Sequence, residues 1–304
     1  NKHKLIKNRS TSRIEESNIL VVDTFTAEQL KSDLEFLGSR IDGTESIKIV
    51  PSLQEALERC KMEAKIFVKP GIHKISGLGN LEEGGSIIGI NHVDEAPVVI
   101  EPKDAGDVWL VANTEKSVLL ENILIRVIPK WTPPTSSEVE ESISVQEAAS
   151  PIVLLVLRGK LYLDTVALEG FPSDHGISCD EQETVGIKAL EQGIVVAKNC
   201  RVNNFISGMV VREQAKLQMD ASKISNCIVG IETNPGGVFK LSSVSIEKCQ
   251  KFGIIVYATS QVTPNIGGIE LLQSEESVKN GFDITEVTLQ DCHAGQICIC
   301  NEAA

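Results

Sequence analysis

Gly186, Gly208, Gly230 and Gly253 open four segments of almost equal length, separated by 22, 22 and 23 residues. Behind each glycine the same pattern returns and ends in a short apolar strand and a turn. The segment ends align: Cys200-Arg-Val-Asn-Asn-Phe205, Ser222-Lys-Ile-Ser-Asn-Cys227, Val244-Ser-Ile-Glu-Lys-Cys249 and Val287-Thr-Leu-Gln-Asp-Cys292. Positions one, three and six are mostly apolar and the others polar. A repeat this short cannot hold a helix pair, but it suits one coil of a parallel β-helix. Upstream, Val166-Ala-Leu-Glu-Gly-Phe171 and Ile123-Leu-Ile-Arg-Val-Ile128 keep the phase. Position three therefore predicts a stacked column of Ile125, Leu168, Val202, Ile224, Ile246 and Leu289. Parallel strands of successive coils pair about 4.8 Å apart, so like residues lie above like. A leucine-rich repeat, the nearest rival, needs a denser leucine consensus than this chain has.

The fold class expected is all-β, a right-handed parallel β-helix of the pectate-lyase-like kind with a short α/β cap. Residues 1–17 are polar and locally basic (Lys2, Lys4, Lys7, Arg9, Arg13) and read as a flexible arm. Residues 18–63 read as the N-terminal cap. In it, Ile19–Val22 is a strand, and Thr26 opens a helix with Gln29 at the capping-box position and Gly38 as stop. Ile47–Pro51 is a second strand, followed by a helix with Ser52 as N-cap and Glu55 completing its box. That helix should cover the open end of the stack, because an uncovered coil exposes core and strand edges. Residues 64–304 hold the coils, among them strands at Trp109–Val111 and Val118–Leu120. Eight or nine coils would make a rod of about 40 Å. Insertions fall at 129–150, 172–185 and 263–281. The first two leave after position six on adjacent coils, hence from one corner. The third leaves elsewhere and reads as neutral surface drift.

Net charge is −13 over 304 residues. That argues against nucleic acid, which needs a basic footprint, and suits a basic protein partner; the plainer alternative is that acidity keeps a repeat protein soluble. No apolar run is long enough for a transmembrane helix. The chain opens on Asn1, so it reads as a fragment or a processed chain. Of eight cysteines, Cys227, Cys249 and Cys292 share position six, and Cys298 and Cys300 should face one side of a strand. They read as reduced core thiols. There is no Cys-x-x-Cys pair, and Cys298 and Cys300 with distant Cys179 make a poor zinc set, so neither metal nor cofactor is expected.

No catalytic set stands out. Polysaccharide lyases on such folds use clustered aspartates and a basic residue, and hydrolases use two carboxylates at fixed separation. The outward columns, Ala167/Glu169, Arg201/Asn203, Lys223/Ser225, Ser245/Glu247 and Thr288/Gln290, are mixed. The Asp–His neighbourhoods, Asp174 with His175 and Asp291 with His293, read as ordinary surface chemistry. Aromatics make up 4% of the chain; Phe171, Phe205 and Phe239 fall on core positions, which leaves Trp131 and Tyr162 as candidates to stack on a sugar. The two same-corner loops carry the partner-binding candidates: Trp131, Glu138, Glu140, Glu141, Asp174, His175, Asp180, Glu181 and Glu183.

The strand and helix over Ile19–Leu37, Ser52–Leu57 with Val68-Lys-Pro-Gly71, and the coils from Gly186 onward resemble the C-terminal β-helix region of the Nessun Dorma and Shc SH2-domain-binding protein family. The same cap and coils occur in F-box β-helix proteins and pectate-lyase-like folds. The resemblance implies a cytoplasmic cytokinesis factor that binds centralspindlin, the complex of a kinesin-6 and a GTPase-activating protein, at the spindle midzone, midbody or ring canal. It also implies galactoside-type carbohydrate binding. It carries no binding motif onto particular residues. Three readings stand: a non-catalytic interaction scaffold, a polysaccharide-binding or polysaccharide-cleaving protein, and an F-box-type substrate receptor.

Overall fold

The computed structural model describes residues 18–21, 27–41, 47–60, 63–75, 84–90, 96–103, 110–127, 152–170, 184–258, 263–274, 277 and 280–301. Alternation of apolar and polar side chains gives each short segment one buried face, and coiling brings those faces together. The chain begins with β1 (Asn18–Val21), α1 (Ala27–Gly38), β2 (Ile47–Val50) and α2 (Leu53–Arg59). Each coil then lays one strand on a first face and, past a sharp corner, one on a second face. In the first four coils these are β3 (Lys65–Val68) and β4 (Gly71–Ile75), β5 (Gly85–Gly89) and β6 (Val98–Pro102), then the end of β7 (Leu110–Glu121) with β8 (Leu124–Arg126), and the end of β9 (Ile152–Asp164) with β10 (Ala167–Glu169).

The later coils add a separate strand on a third face. The fifth holds β11 (Val185–Ala189), β12 (Ile194–Lys198) and β13 (Arg201–Asn203). The sixth holds β14 (Ser207–Val211), β15 (Lys216–Asp220) and β16 (Lys223–Ser225), and the seventh β17 (Val229–Thr233), β18 (Val238–Ser242) and β19 (Ser245–Glu247). The last holds β20 (Phe252–Ala258), β21 (Asn265–Gly267), β22 (Phe282–Thr285), β23 (Thr288–Gln290) and β24 (Gly295–Asn301). The second-face strands form one 8-stranded sheet, here sheet B, in the order β4-β6-β8-β10-β13-β16-β19-β23. The other two faces form a 16-stranded sheet, sheet A. Every pairing is parallel except that of β21 with β24.

The expected column is in register: Ile125 pairs with Leu168, Leu168 with Val202, Val202 with Ile224, Ile224 with Ile246, and Ile246 with Leu289. It also runs further than the repeat predicts. Ile100 precedes Ile125, and His73 precedes Ile100. His73 tolerates this buried place because its Nε2 hydrogen-bonds with the Lys69 carbonyl at 2.8 Å. The glycines of the repeat lie beside this column. A Cβ on Gly230 would sit 2.5 Å from the Gly253 carbonyl oxygen and 2.7 Å from Ile246 Cγ2. Only a hydrogen fits between neighbouring coils there, and Gly208 and Gly253 meet the same crowding.

The corners share one device. Asn122, Thr165, Asn199, Ala221, Ser243 and Glu286 turn the first corner, and Asn204, Asn226, Lys248 and Asp291 the second, all with φ between 45 and 63°. The residue that follows then reaches back. The Cys227, Cys249 and Cys292 thiols donate to the carbonyls of Ser225, Glu247 and Gln290 at 3.4, 3.8 and 3.5 Å. Cys200 and Ser222 do the same to Lys198 and Asp220 at 3.2 and 2.6 Å. The Ser225, Glu247 and Gln290 carbonyls also accept the amides of Asn204, Asn226 and Lys248 from the preceding coil, so the thiol at position six adds a second, weak bond while its small apolar side chain fills the corner.

Both ends are closed. Ser52 caps α2 by accepting from the Glu55 amide at 3.2 Å, and Leu53, Ala56 and Leu57 enter the main core. Helix α1 has a different place from the end of the stack. It lies on the outside of sheet A, where Leu30, Phe36 and Leu37 pack with Leu20, Phe67, Ile88 and Ile90, and Asp33 meets Lys69 at 2.9 Å. The third insertion corrects the expectation of neutral drift. Its β21 pairs antiparallel with the last strand, Ile266 against Cys298, which protects that edge. Its 3-10 turn, Ile269–Leu272, buries Leu272 and packs Leu271 in the main core. This segment is the C-terminal cap.

Candidate functional site

Trp131, Glu138, Glu140, Glu141, Asp174, His175, Asp180, Glu181 and Glu183 lie outside the described residues, as do Cys179, Phe171 and the arm. The described chain around their loops is informative. The first loop is bounded by β8 and β9 and the second by β10 and β11. Strand β8 pairs with β10, and β9 with β11. The described ends of both loops therefore lie at the same corner on consecutive coils.

The outer surface of sheet B is built from two columns. One runs Ile72, Val99, Leu124, Ala167, Arg201, Lys223, Ser245 and Thr288. It is apolar through the first four coils and polar through the last four. Ile72 is 61% exposed, whereas Val99 is 5% exposed; Leu124 and Ala167 are half-buried. The second column carries Lys74, Glu101, Arg126, Glu169, Asn203, Ser225, Glu247 and Gln290. Arg126 bridges Glu101 at 3.6 Å and Glu169 at 2.9 Å. Farther along, Ser225 Oγ donates to Asn203 Oδ1 at 3.1 Å and Lys223 meets Glu247 at 2.6 Å. Sequence reading took the outward positions as uniformly mixed because it began at Ala167. Carrying the phase back to Ile72 and Val99 would have exposed the apolar run.

Tyr162 is half-buried in an outward column between Leu119 and Val196, so it offers a sugar little stacking face. Phe205 and Phe239 are buried, and Phe239 stacks on Phe282 at 4.8 Å. A groove of about 1040 Å³ crosses the corner between β9 and the turns after β11 and β14. Its Arg158, Lys160 and Arg212 are balanced by Glu115, Glu191 and Glu213, with Arg158 and Glu191 3.4 Å apart.

All seven described cysteines are free. Burial pushes the Cys200 thiol up to about 11 and the Cys227 thiol up to about 12. Burial, and then the charges of Cys227 and Cys292, push Cys249 up as well. Thiols held protonated are poor nucleophiles and ligands. Cys298 and Cys300 do share one face, packed with Ile255 and Tyr257. Among the described residues, no group of three histidine, cysteine, aspartate or glutamate side chains could hold a metal ion, and no helix is long and apolar enough to cross a membrane. Comparison with protein-family models, with curated proteins and with solved structures found no match.

Proposed function

We propose that this chain is a non-catalytic interaction scaffold of the cytokinesis type, which captures centralspindlin through segments at one corner of the β-helix. The observation that carries this reading is the pairing of β8 with β10 and of β9 with β11, which puts the roots of both loops on one corner of neighbouring coils. A rigid stack that presents two acidic loops side by side is suited to recognition, since loops on a fixed scaffold can vary without loss of the core. The site of action would be the midzone, midbody or ring canal.

The test is affinity capture from dividing cells with mass spectrometry. The intact chain should recover the kinesin-6 and GTPase-activating-protein subunits, and deletion of residues 134–149 should reduce that recovery. Equal recovery by this deletion and by a chain with Asp180, Glu181 and Glu183 reversed to lysine would defeat the corner assignment, and recovery of neither subunit would defeat the partner.

A further inference from the structure

We propose that Cys249 and Cys292 form a redox-sensitive pair, which a hydroperoxide converts into a disulfide that staples the last two coils together. This chemistry is independent of partner capture. Two observations carry it. The first is stacking. Position six holds Phe205, Cys227, Cys249 and Cys292 in successive coils. Their backbones stay in register there: the Ile228, Gln250 and His293 amides donate to the Phe205, Cys227 and Cys249 carbonyls at 3.0, 2.9 and 3.0 Å. Successive coils lie about 4.8 Å apart, within the roughly 4.4–6.8 Å between Cα atoms that a disulfide spans. All three sulfurs point the same way, each toward the carbonyl two residues back, and the Cys249 and Cys292 thiols lie in hydrogen-bonding contact. The Glu247 and Gln290 carbonyls keep the Asn226 and Lys248 amides as donors. Turning the two sulfurs toward each other therefore orphans no buried acceptor.

The second observation is a gradient of access along the file. Cys227 and Cys249 are fully buried, whereas Cys292 is partly exposed. A hydroperoxide therefore meets Cys292 first and makes it a sulfenic acid. In that step the O–O bond breaks, the sulfur gains one oxygen and gives up two electrons, and water or an alcohol departs. The Cys249 sulfur then attacks the Cys292 sulfur. The S–O bond breaks, the S–S bond forms, and the hydroxyl leaves as water with the Cys249 proton. Burial holds Cys249 protonated, which shields it from outside reagents, so contact with Cys292 is what makes the attack possible. Cys200 has no such neighbour, because Ser222 holds its position in the next coil. Between Cys249 and Cys292 the chain carries β21 and the 3-10 turn of the C-terminal cap. The disulfide closes that segment into a loop and so holds the cap on the end of the stack.

The test uses the full 304-residue chain, reduced and then treated with hydrogen peroxide, with peptide mass spectrometry under non-reducing conditions. The expected product is a peptide cross-linked between Cys249 and Cys292, released by dithiothreitol, with Cys200 unmodified. At the urea concentration that half-unfolds the reduced chain, oxidation should lower the ratio of unfolded to folded chain by about a hundredfold. Cys292→Ser should leave Cys249 unmodified and remove that shift. Cys249→Ser should strand Cys292 as sulfinic or sulfonic acid without a cross-link. Circular dichroism checks that each variant folds, and the peptide map of the intact chain needs neither. Sulfinic or sulfonic acid at Cys292 of the intact chain, with Cys249 still a free thiol, would overturn the pair. Oxidation of Cys298 and Cys300 with Cys292 untouched would do the same. A cross-link with no change in the urea response would overturn the staple.

Discussion

The first four coils and the last four share one interior and differ outside. The column His73–Leu289 passes through both halves without a break in register. In the last four coils, tight corners built on Asn204, Asn226, Lys248 and Asp291 follow each sheet-B strand. In the first four, every sheet-B strand is followed by a longer acidic segment, and the outer column turns apolar. In coils three and four, single strands β7 and β9 also run through a corner that later coils break into two strands and a turn. Gly159, at φ 77°, lies where β9 makes that passage. A solenoid needs only its interior and its neighbours for stability. The outside of one half can therefore differ while the interior stays the same.

That contrast can be broken most severely from inside. Ile246→Ala should cost about 3 kcal/mol, because Ile246 is fully buried between Ile224 and Leu289. Ile72→Ala, on the outer column, should cost no more than about 0.5 kcal/mol. Urea unfolding of the two variants measures both, and a similar loss in each would erase the distinction between inside and outside. Gly230→Ala comes next, at about 2 kcal/mol, since the added methyl meets the Gly253 carbonyl oxygen at 2.5 Å.

A smaller effect comes from the thiols of the later coils. Cys227 is raised by burial from an ordinary value of 9.0 to about 12. A group whose folded value lies above its unfolded one contributes stability that is complete below the unfolded value and is lost as pH rises toward the folded one. Between pH 8 and 10 the intact chain should therefore lose about 1 kcal/mol on account of this thiol. Cys227→Ser should lack that share, because a hydroxyl does not titrate there and can donate to the same carbonyl, as Ser222 does. Identical pH slopes for the two proteins would contradict it. The smallest change is a gain. Thr233 is fully buried in an inward column between Val211 and Val256, and its hydroxyl has no hydrogen-bond partner. Thr233→Val should raise stability by about 0.5–1 kcal/mol, read as a higher urea midpoint.

The sequence makes the interior legible because stacking repeats the same residue type at the same phase. Ile125, Leu168, Val202, Ile224, Ile246 and Leu289 could be written down before any strand was seen. His73 could not, since a histidine breaks the apolar pattern and only its bond to the Lys69 carbonyl explains it. The C-terminal cap was illegible for another reason. Its β21 is antiparallel and belongs to no repeat, so periodicity is blind to it, although Leu271 and Leu272 are the apolar residues that close the core. N-capping by Ser52 was readable from four residues, although the Glu55 carboxylate meets Arg59 at 2.7 Å; the lateral position of α1 depends on Phe67 and Ile88, which come from two different coils. For the candidate site, the corner of the two loops followed from counting, but the apolar face beside it required the register of β4 and β6.

Hydrogen–deuterium exchange of the full chain tests the central claim, one continuous interior beneath two different exteriors, most directly. The account predicts slow amide exchange of similar rate in β6, β8, β10, β13, β16 and β19, because one inward column passes through all of them in register. Fast exchange through β6, β8 and β10 with slow exchange in β13, β16 and β19 would contradict it.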